Sequence, residues 1–341
     1  MATAKSVKRP TRKDVARIAG TSTAVVSYVI NDGPRPVAPA TRQRVLDAIE
    51  QVGYMPDSIA RALSSGESGA FGLIVPDISN PFFGELAQAL EEAAAAQGKL
   101  LLLGNSAESK QRESELIASL TARRIDGLFF VGVDGTPMLA PAYAAGIPVI
   151  LLDRMGLVNG ASSVLIDNRG AARAITAHLI SHGVKKIGII TGPAGLAPSE
   201  ERLAGWQEAM TTAGLPITDS WMIEAPFSRR GGYEATLQML AHAERPQALF
   251  ASNEQQAVGA LAAAAQLSLS VPNELALVSF DGTEAGVYTV PALTGIVQPL
   301  ADIARAAVSA VNLPVYNDGT RGVLHQMCDF ELRIGGSCGS H

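Results

Sequence analysis

Polar side chains with ligand-binding chemistry recur in this chain just after short apolar runs. "VPDISNPFF" carries Asn80 with Phe82 and Phe83, "LLDR" carries Asp153 and Arg154, "ASNE" carries Asn253, and "SFDG" carries Asp281. Arg202 lies in the helical stretch "SEERLAGW". Carboxylates accept hydrogen bonds from hydroxyl pairs, a guanidinium donates through a rigid fork, and an aromatic face covers the C–H face of a ring. Together these are the groups that recognise a polyhydroxylated ring. Each has a plainer reading: Asn253 is well placed to cap a helix, and Asp153 with Arg154 can be an ion pair between lobes.

Other chemistries find less support. A glycosidase using Asp153 and Asp281 rests on composition alone. No G-x-S-x-G, Walker A or dinucleotide glycine motif occurs at a strand-to-helix turn, so no catalytic residue and no cofactor is expected. His178 and His182 are spaced i, i+4 like a zinc pair, but "HLISH" lacks the metalloprotease glutamate. His182 precedes Gly183 at a helix C-terminus, where the helix dipole favours an imidazole. Cys328 and Cys338 show no metal-ligand spacing and are expected to be reduced and incidental; no metal is expected. Trp206 and Trp221 read as core residues.

The elements that must carry these residues start at Ala70. "FGLIV", "KLLLLG", "DGLFFVG" and "PVILL" are continuous apolar runs, as expected of strands buried on both faces, with helical stretches between them. The series restarts with "KKIGIIT", "QALFAS" and "LALVSF". Two doubly wound α/β lobes are expected, with ligand bound at the carboxyl ends of their strands.

The first 66 residues differ. They hold ten Lys or Arg against five Asp or Glu, whereas the remainder holds 17 against 27, within an overall net charge of −5. A basic head on an acidic body suits a phosphate-binding module attached to a regulatory domain. In "TRKDVARIAGTSTAVVSYVIN", Thr11 and Asp14 have capping-box spacing, and Val15, Ala16, Ile18 and Ala19 give the helix an apolar side. Gly20 ends it, and Ser22 caps a second helix from Thr23 to about Ile30 that bears no charge. A third helix, "PATRQRVLDAIEQVG", has Pro39 in its first turn and Val45, Leu46, Ile49 and Val52 as its expected core stripe. The spacing of Ala16, Gly20 and Val26 is that of a helix-turn-helix.

The stretch "KDVARIAGTSTAVVSYVINDGPRPVAPATRQRVLDAIEQVGYMPDSIARAL" closely resembles the LacI/GalR family of bacterial transcription regulators, and the resemblance extends to "FELRIGGSC" near the C-terminus. It implies an N-terminal three-helix helix-turn-helix (lambda-repressor-like) headpiece plus an α/β periplasmic-binding-protein-like core of two doubly wound lobes. It also implies that the uncharged helix lies in the DNA major groove. Thr23 and Ala24 match positions that read bases, and Ser22, Ser27 and Asn31 match positions near phosphates. Tyr28 stands where the family usually has Arg, so a base contact is lost or replaced by a phosphate contact from the phenol. Lys13, Arg17, Arg42 and Arg61 are the expected phosphate-contacting cations. In "DSIARAL" the resemblance makes Leu63 a wedge in the minor groove with Ala60 beside it, on a helix too short to be stable alone. Asp153, Arg154, Arg202, Asn253 and Asp281 match effector-contacting positions, and Asn80, with Pro81 a good helix start, joins them as a pocket candidate. Phe82 and Phe83 offer stacking faces, and Trp221 and Gln298 complete the expected pocket. Glu254 stands where the family more often has Asp.

The expected boundaries are 1–57 for the headpiece and 58–69 for the hinge and linker. The N-terminal lobe spans 70–166 and 298–323, and the C-terminal lobe 167–297 and 324–341, with crossovers near Asp167, Gln298 and Leu324. The expected function is a non-enzymatic, operator-binding regulator, most simply a repressor, acting as a homodimer on palindromic double-stranded DNA. Its effector is a sugar, with nucleosides as the main competitor. The alternatives are an activator and a small-molecule binding protein with an inert headpiece. No apolar signal region precedes the first helix and every apolar run is strand-sized, so a cytoplasmic protein with no membrane partner is expected.

Overall fold

The computed structural model describes residues 10–30, 33, 35–55, 67–153, 158–316 and 321–339. Asn31, Ala60, Arg61, Leu63 and Arg154 lie outside the described residues. Contacts divide the chain into two units, Met1–Ser68 and Gly69–His341.

In the first unit, α1 (Arg12–Ile18), α2 (Thr23–Ile30) and α3 (Pro39–Val52) enclose one small core. The Asp14 carboxylate accepts from the Thr11 backbone N–H at 2.9 Å and from its hydroxyl at 2.7 Å, which fixes the start of α1. Gly20 adopts φ +62°, a left-handed conformation that turns the chain sharply between α1 and α2. Ser22 Oγ then accepts from Val25 N at 3.3 Å. Val15, Ala16, Ala19, Val26, Val29, Val45, Ala48 and Tyr54 are buried together. Leu46 is not part of this core: it is 43% exposed, and Ala48 takes the expected place. Val45, Ala48, Ile49 and Val52 follow the helical i, i+3, i+4, i+7 rule, and Leu46 lies about 100° round the helix from Val45. Ile18 is likewise 37% exposed at the end of α1.

The second unit contains two sheets. Its elements in chain order are β1 (Ala70–Val75), α4 (Pro81–Ala95), β2 (Leu100–Asn105), α5 (Lys110–Ala122), β3 (Gly127–Phe130), α6 (Ala140–Ala144), β4 (Val149–Leu152) and β5 (Ser162–Ile166). The chain then crosses through α7 (Asn168–Ser181) into β6 (Ile187–Thr191), α8 (Ala197–Thr212), β7 (Met222–Glu224), α9 (Arg229–Leu240), β8 (Ala248–Ala251), α10 (Glu254–Gln266), β9 (Ala276–Ser279), α11 (Glu284–Val287) and β10 (Thr294–Val297). It returns through α12 (Leu300–Val311), which packs on α4, and finishes with β11 (His325–Cys328) and β12 (Glu331–Arg333).

The first sheet has the order β11-β5-β4-β3-β1-β2 and the second β12-β10-β9-β8-β6-β7. All neighbours are parallel except β12, which runs antiparallel to β10. Strand order reverses between β1 and β3 and again between β6 and β8, which opens a crevice at the carboxyl ends of the strands. Two expectations are corrected. The third crossover falls between Cys328 and Glu331, not near Leu324, because β11 pairs with β5 of the first sheet. The run "KLLLLG" is not buried on both faces: β2 is an edge strand, with Leu100 70% and Leu103 45% exposed.

Candidate functional site

Arg202 is the centre of the cleft. It stands on α8, which lies so close to α7 that a Cβ at Gly205 would meet the Arg169 carbonyl oxygen at 2.2 Å, so only glycine allows this approach. The guanidinium is buried, with 3% exposure. Its Nε donates to Asn168 Oδ1 at 2.8 Å and its Nη1 to the Ser252 carbonyl at 2.6 Å. Nη2 lies 3.8 Å from Asp281 Oδ1 and 4.0 Å from Asp153 Oδ1, and the plane sits 3.7 Å above the Phe280 ring. Arg202 and Asp281 belong to the second lobe and Asp153 to the first, so this pair spans the cleft.

Both acids sit just beyond strand ends in left-handed backbone, Asp153 at φ +52° and Asp281 at φ +84°. Asp tolerates this region better than most residues, and such conformations concentrate at ligand sites. Gln298, in the return crossover, donates from Nε2 to Asp281 Oδ1 at 3.1 Å. Burial pushes the Asp281 carboxyl up to about 6; Arg202 opposes this and the Asp153 charge adds to it.

Two caps shape the walls. Asn80 Oδ1 accepts from Phe82 N at 3.1 Å at the start of α4, and Asn253 Oδ1 accepts from Gln256 N at 2.9 Å at the start of α10. The capping reading of Asn253 therefore holds, and its side chain also lines the cleft. Phe82 and Phe83 pack edge to face at 5.3 Å. One pocket, of about 270 Å³ including its open mouth, is lined by Asn80, Phe82, Phe83, Asp153, Pro198, Arg202, Phe227, Asn253 and Asp281. A second of about 270 Å³ adjoins it at Phe82 and Asp153, and there Asn168 and Gln298 contribute.

The structure brings eight of the expected effector residues together and does not bring Trp221. Its indole is buried outside this lining, with Nε1 donating to the Glu244 carbonyl at 2.8 Å. Sequence reasoning missed Phe227, Pro198 and Asn168. Phe227 sits in a loop with no periodicity, and Asn168 carried no signal beyond its place at a crossover. Glu254 also gains a role. Its Oε2 accepts from Thr283 N at 2.9 Å and its Oε1 from the Thr283 hydroxyl, which holds the loop that presents Asp281. Burial, opposed by the Thr283 bonds and reinforced by the Asp281 charge, pushes its carboxyl up to about 7.

The headpiece surface has a different character. Ser22, Thr23 and Ala24 are exposed, Ser27 and Tyr28 are half-buried, and α2 carries no charge. Lys13, Arg17 and Arg42 are exposed, with the Arg17 guanidinium 3.9 Å from Asp14. The Tyr28 ring packs on the following turn, since a Cβ at Gly33 would lie 2.5 Å from Tyr28 Cδ1. An uncharged short-side-chain face edged by cations suits base edges flanked by phosphates.

A helix-turn-helix unit joined to a two-lobed body with a polar inter-lobe cleft defines a ligand-responsive DNA-binding protein of periplasmic-binding-protein architecture. The family model for "Periplasmic binding proteins and sugar binding domain of LacI family" matches residues 68–323, and that for "Bacterial regulatory proteins, lacI family" matches residues 11–57. The chain is 35% identical over 300 residues to Catabolite control protein A of Priestia megaterium, covering 86% of this chain and 89% of that protein. It is 34% identical over 306 residues to the ribose operon repressor of Escherichia coli K12, covering 88% and 92%. The lac repressor dimer bound to operator and the anti-inducer ONPF superposes with a TM-score of 0.85 at 25% identity, covering 98% of this chain and 100% of that one. The chain belongs to the LacI family. It is a DNA-binding transcriptional repressor under small-molecule control and not an enzyme. Among the described residues no helix is long and apolar enough to cross a membrane.

Proposed function

We propose that this repressor works in the cytoplasm as a homodimer on a palindromic operator and that a sugar in the inter-lobe cleft controls it. The observation that carries the sugar reading is the Arg202 guanidinium set between Asp153 and Asp281 in a pocket that Phe82, Phe83 and Phe227 also line. Hydroxyls of one ring can accept from that fork and donate to both carboxylates, while the aromatic side chains cover its C–H face. Because Asp153 and Arg202 belong to different lobes, a ligand that bridges them favours one degree of closure. Glu85 Oε1, which accepts from Glu284 N at 2.9 Å across the same divide, provides a second contact that depends on closure. A ligand shifts operator affinity only through such a difference between states.

Two observations support the dimer. Leu100 and Leu103 are exposed apolar side chains on the edge strand β2, and Tyr288 and Val290 are 76% and 94% exposed on the second lobe. One headpiece reads too few base pairs for a unique site, and two-fold pairing supplies the rest.

The test is a thermal-shift screen of sugars, sugar phosphates and nucleosides, followed by operator binding with each hit. A sugar at 100 times its dissociation constant should stabilise the body by about 2.7 kcal/mol and change operator affinity. Stabilisation by nucleosides alone would overturn the sugar reading.

A further inference from the structure

At the C-terminal end of α7, far from the cleft, the fold assembles side chains that lie 156 and 160 residues apart in sequence. His178 is in the last turn of α7 and His182 is its C-cap, so the i, i+4 spacing turns both rings to one side, 4.6 Å apart. The final segment of the chain brings Cys338 against them. His178 Nε2 lies 3.4 Å from Cys338 Sγ, and His182 Nδ1 lies 3.0 Å from the Cys338 carbonyl oxygen. One ligand atom from each residue falls within 4.8 Å of the other two. Cys338 is 2% exposed and its sulfur accepts from the Thr294 hydroxyl of β10 at 3.0 Å, while both histidines are half-buried.

We propose that His178, His182 and Cys338 form a zinc site, with a fourth position open to water, that clips the C-terminal segment to α7. Two imidazoles and a thiolate are the ligand set that zinc favours. Tetrahedral zinc holds sulfur and nitrogen about 3.6 Å apart, close to the observed separation of His178 and Cys338. The contacts around the triad are those of a supported metal site. The Cys338 carbonyl orients the His182 ring, and the Thr294 hydroxyl steadies the sulfur. The segment itself is already fixed: Thr294 N donates to Ser337 Oγ at 2.9 Å and Ser337 Oγ donates to the Leu277 carbonyl at 2.6 Å. Burial raises the Cys338 thiol, so zinc uptake transfers that proton to solvent as the Zn–S bond forms.

The site differs from the effector cleft in position and in chemistry. Asn168, the cleft residue of α7, lies at the opposite end of a 14-residue helix, about 20 Å away.

The test uses full-length, tag-free protein stripped of metal. Cobalt(II) should bind with a thiolate-to-cobalt charge-transfer band and the intense visible bands of four-coordinate geometry. Zinc should displace it at one ion per chain. Cys338→Ser should abolish the charge-transfer band and weaken zinc binding by about tenfold or more, while Cys328→Ser should leave both unchanged. If Cys338→Ser fails to fold by circular dichroism, His182→Gln replaces it and must also weaken zinc by about tenfold or more. Absence of the band in wild type, or equal zinc affinity in wild type and a folded ligand variant, would show a hydrogen-bonded cluster only and overturn the site.

Discussion

Replacing Arg202 with alanine removes the charge that organises the cleft, and the consequences can be worked from its contacts. Asn168 Oδ1 and the Ser252 carbonyl lose their donor, at about 1–3 kcal/mol for each buried acceptor. Asp281, already pushed up to about 6, loses the cation that opposes burial and takes up a proton at neutral pH. That proton limits the electrostatic loss, so the expected total is about 3–5 kcal/mol, the cost of breaking a buried pair. Asp281→Asn supplies a neutral group in advance. In the Arg202→Ala background it should therefore cost at least about 1 kcal/mol less than in wild type. Urea denaturation of wild type, both single variants and the double variant at pH 7 measures this coupling. Additivity within about 0.5 kcal/mol would refute the view that Arg202 is needed chiefly to compensate a buried acid.

Three further outcomes follow from the same geometry. Glu254 keeps its proton in the folded state up to about pH 7, against 4.5 for a glutamate in water, so folded protein binds more protons than unfolded chain between these limits and stability falls as pH rises through them. Glu254→Gln should remove that slope and gain about 2–3 kcal/mol relative to wild type between pH 4.5 and 7; a pH-independent difference in urea midpoints would count against it. Alanine at Lys13, Arg17 or Arg42 should each lower the log-log salt slope of operator binding by about one, and an unchanged slope would remove that residue from the phosphate contacts. Leu100→Glu on the edge strand should shift sedimentation toward monomer and weaken operator binding, and an unchanged dimer would move the interface elsewhere.

Local chemistry was readable in the chain, and long-range pairing was not. The Thr11–Asp14 box, the turn at Gly20, the Ser22 cap and the caps at Asn80 and Asn253 each involve residues within a few positions, so spacing alone specifies them. Leu46 lies outside the core because a three-helix core admits only a narrow stripe, which excludes an apolar residue adjacent to it in sequence. The exposure of β2 depends on its place at a sheet edge, which no run of leucines records. The position of the third crossover is not legible because "HQMC" is short and polar, and only its pairing with β5 identifies it as a strand. Within the cleft, the strand ends pointed to Asp153 and Asp281. The supporting roles of Asn168, Phe227 and Glu254 arise from contacts made across helices and loops, for which a single sequence holds no signal.

The central claim is that occupancy of the cleft controls the headpiece. The most direct test is the affinity of full-length protein for a palindrome selected from a random DNA pool, read by fluorescence anisotropy with and without a sugar that raises the melting temperature. The expected result is a change in operator affinity of about tenfold or more in wild type, and no change in Arg202→Ala, which should still bind the DNA. Equal operator affinity with and without saturating sugar, or a full response surviving in Arg202→Ala, would contradict it.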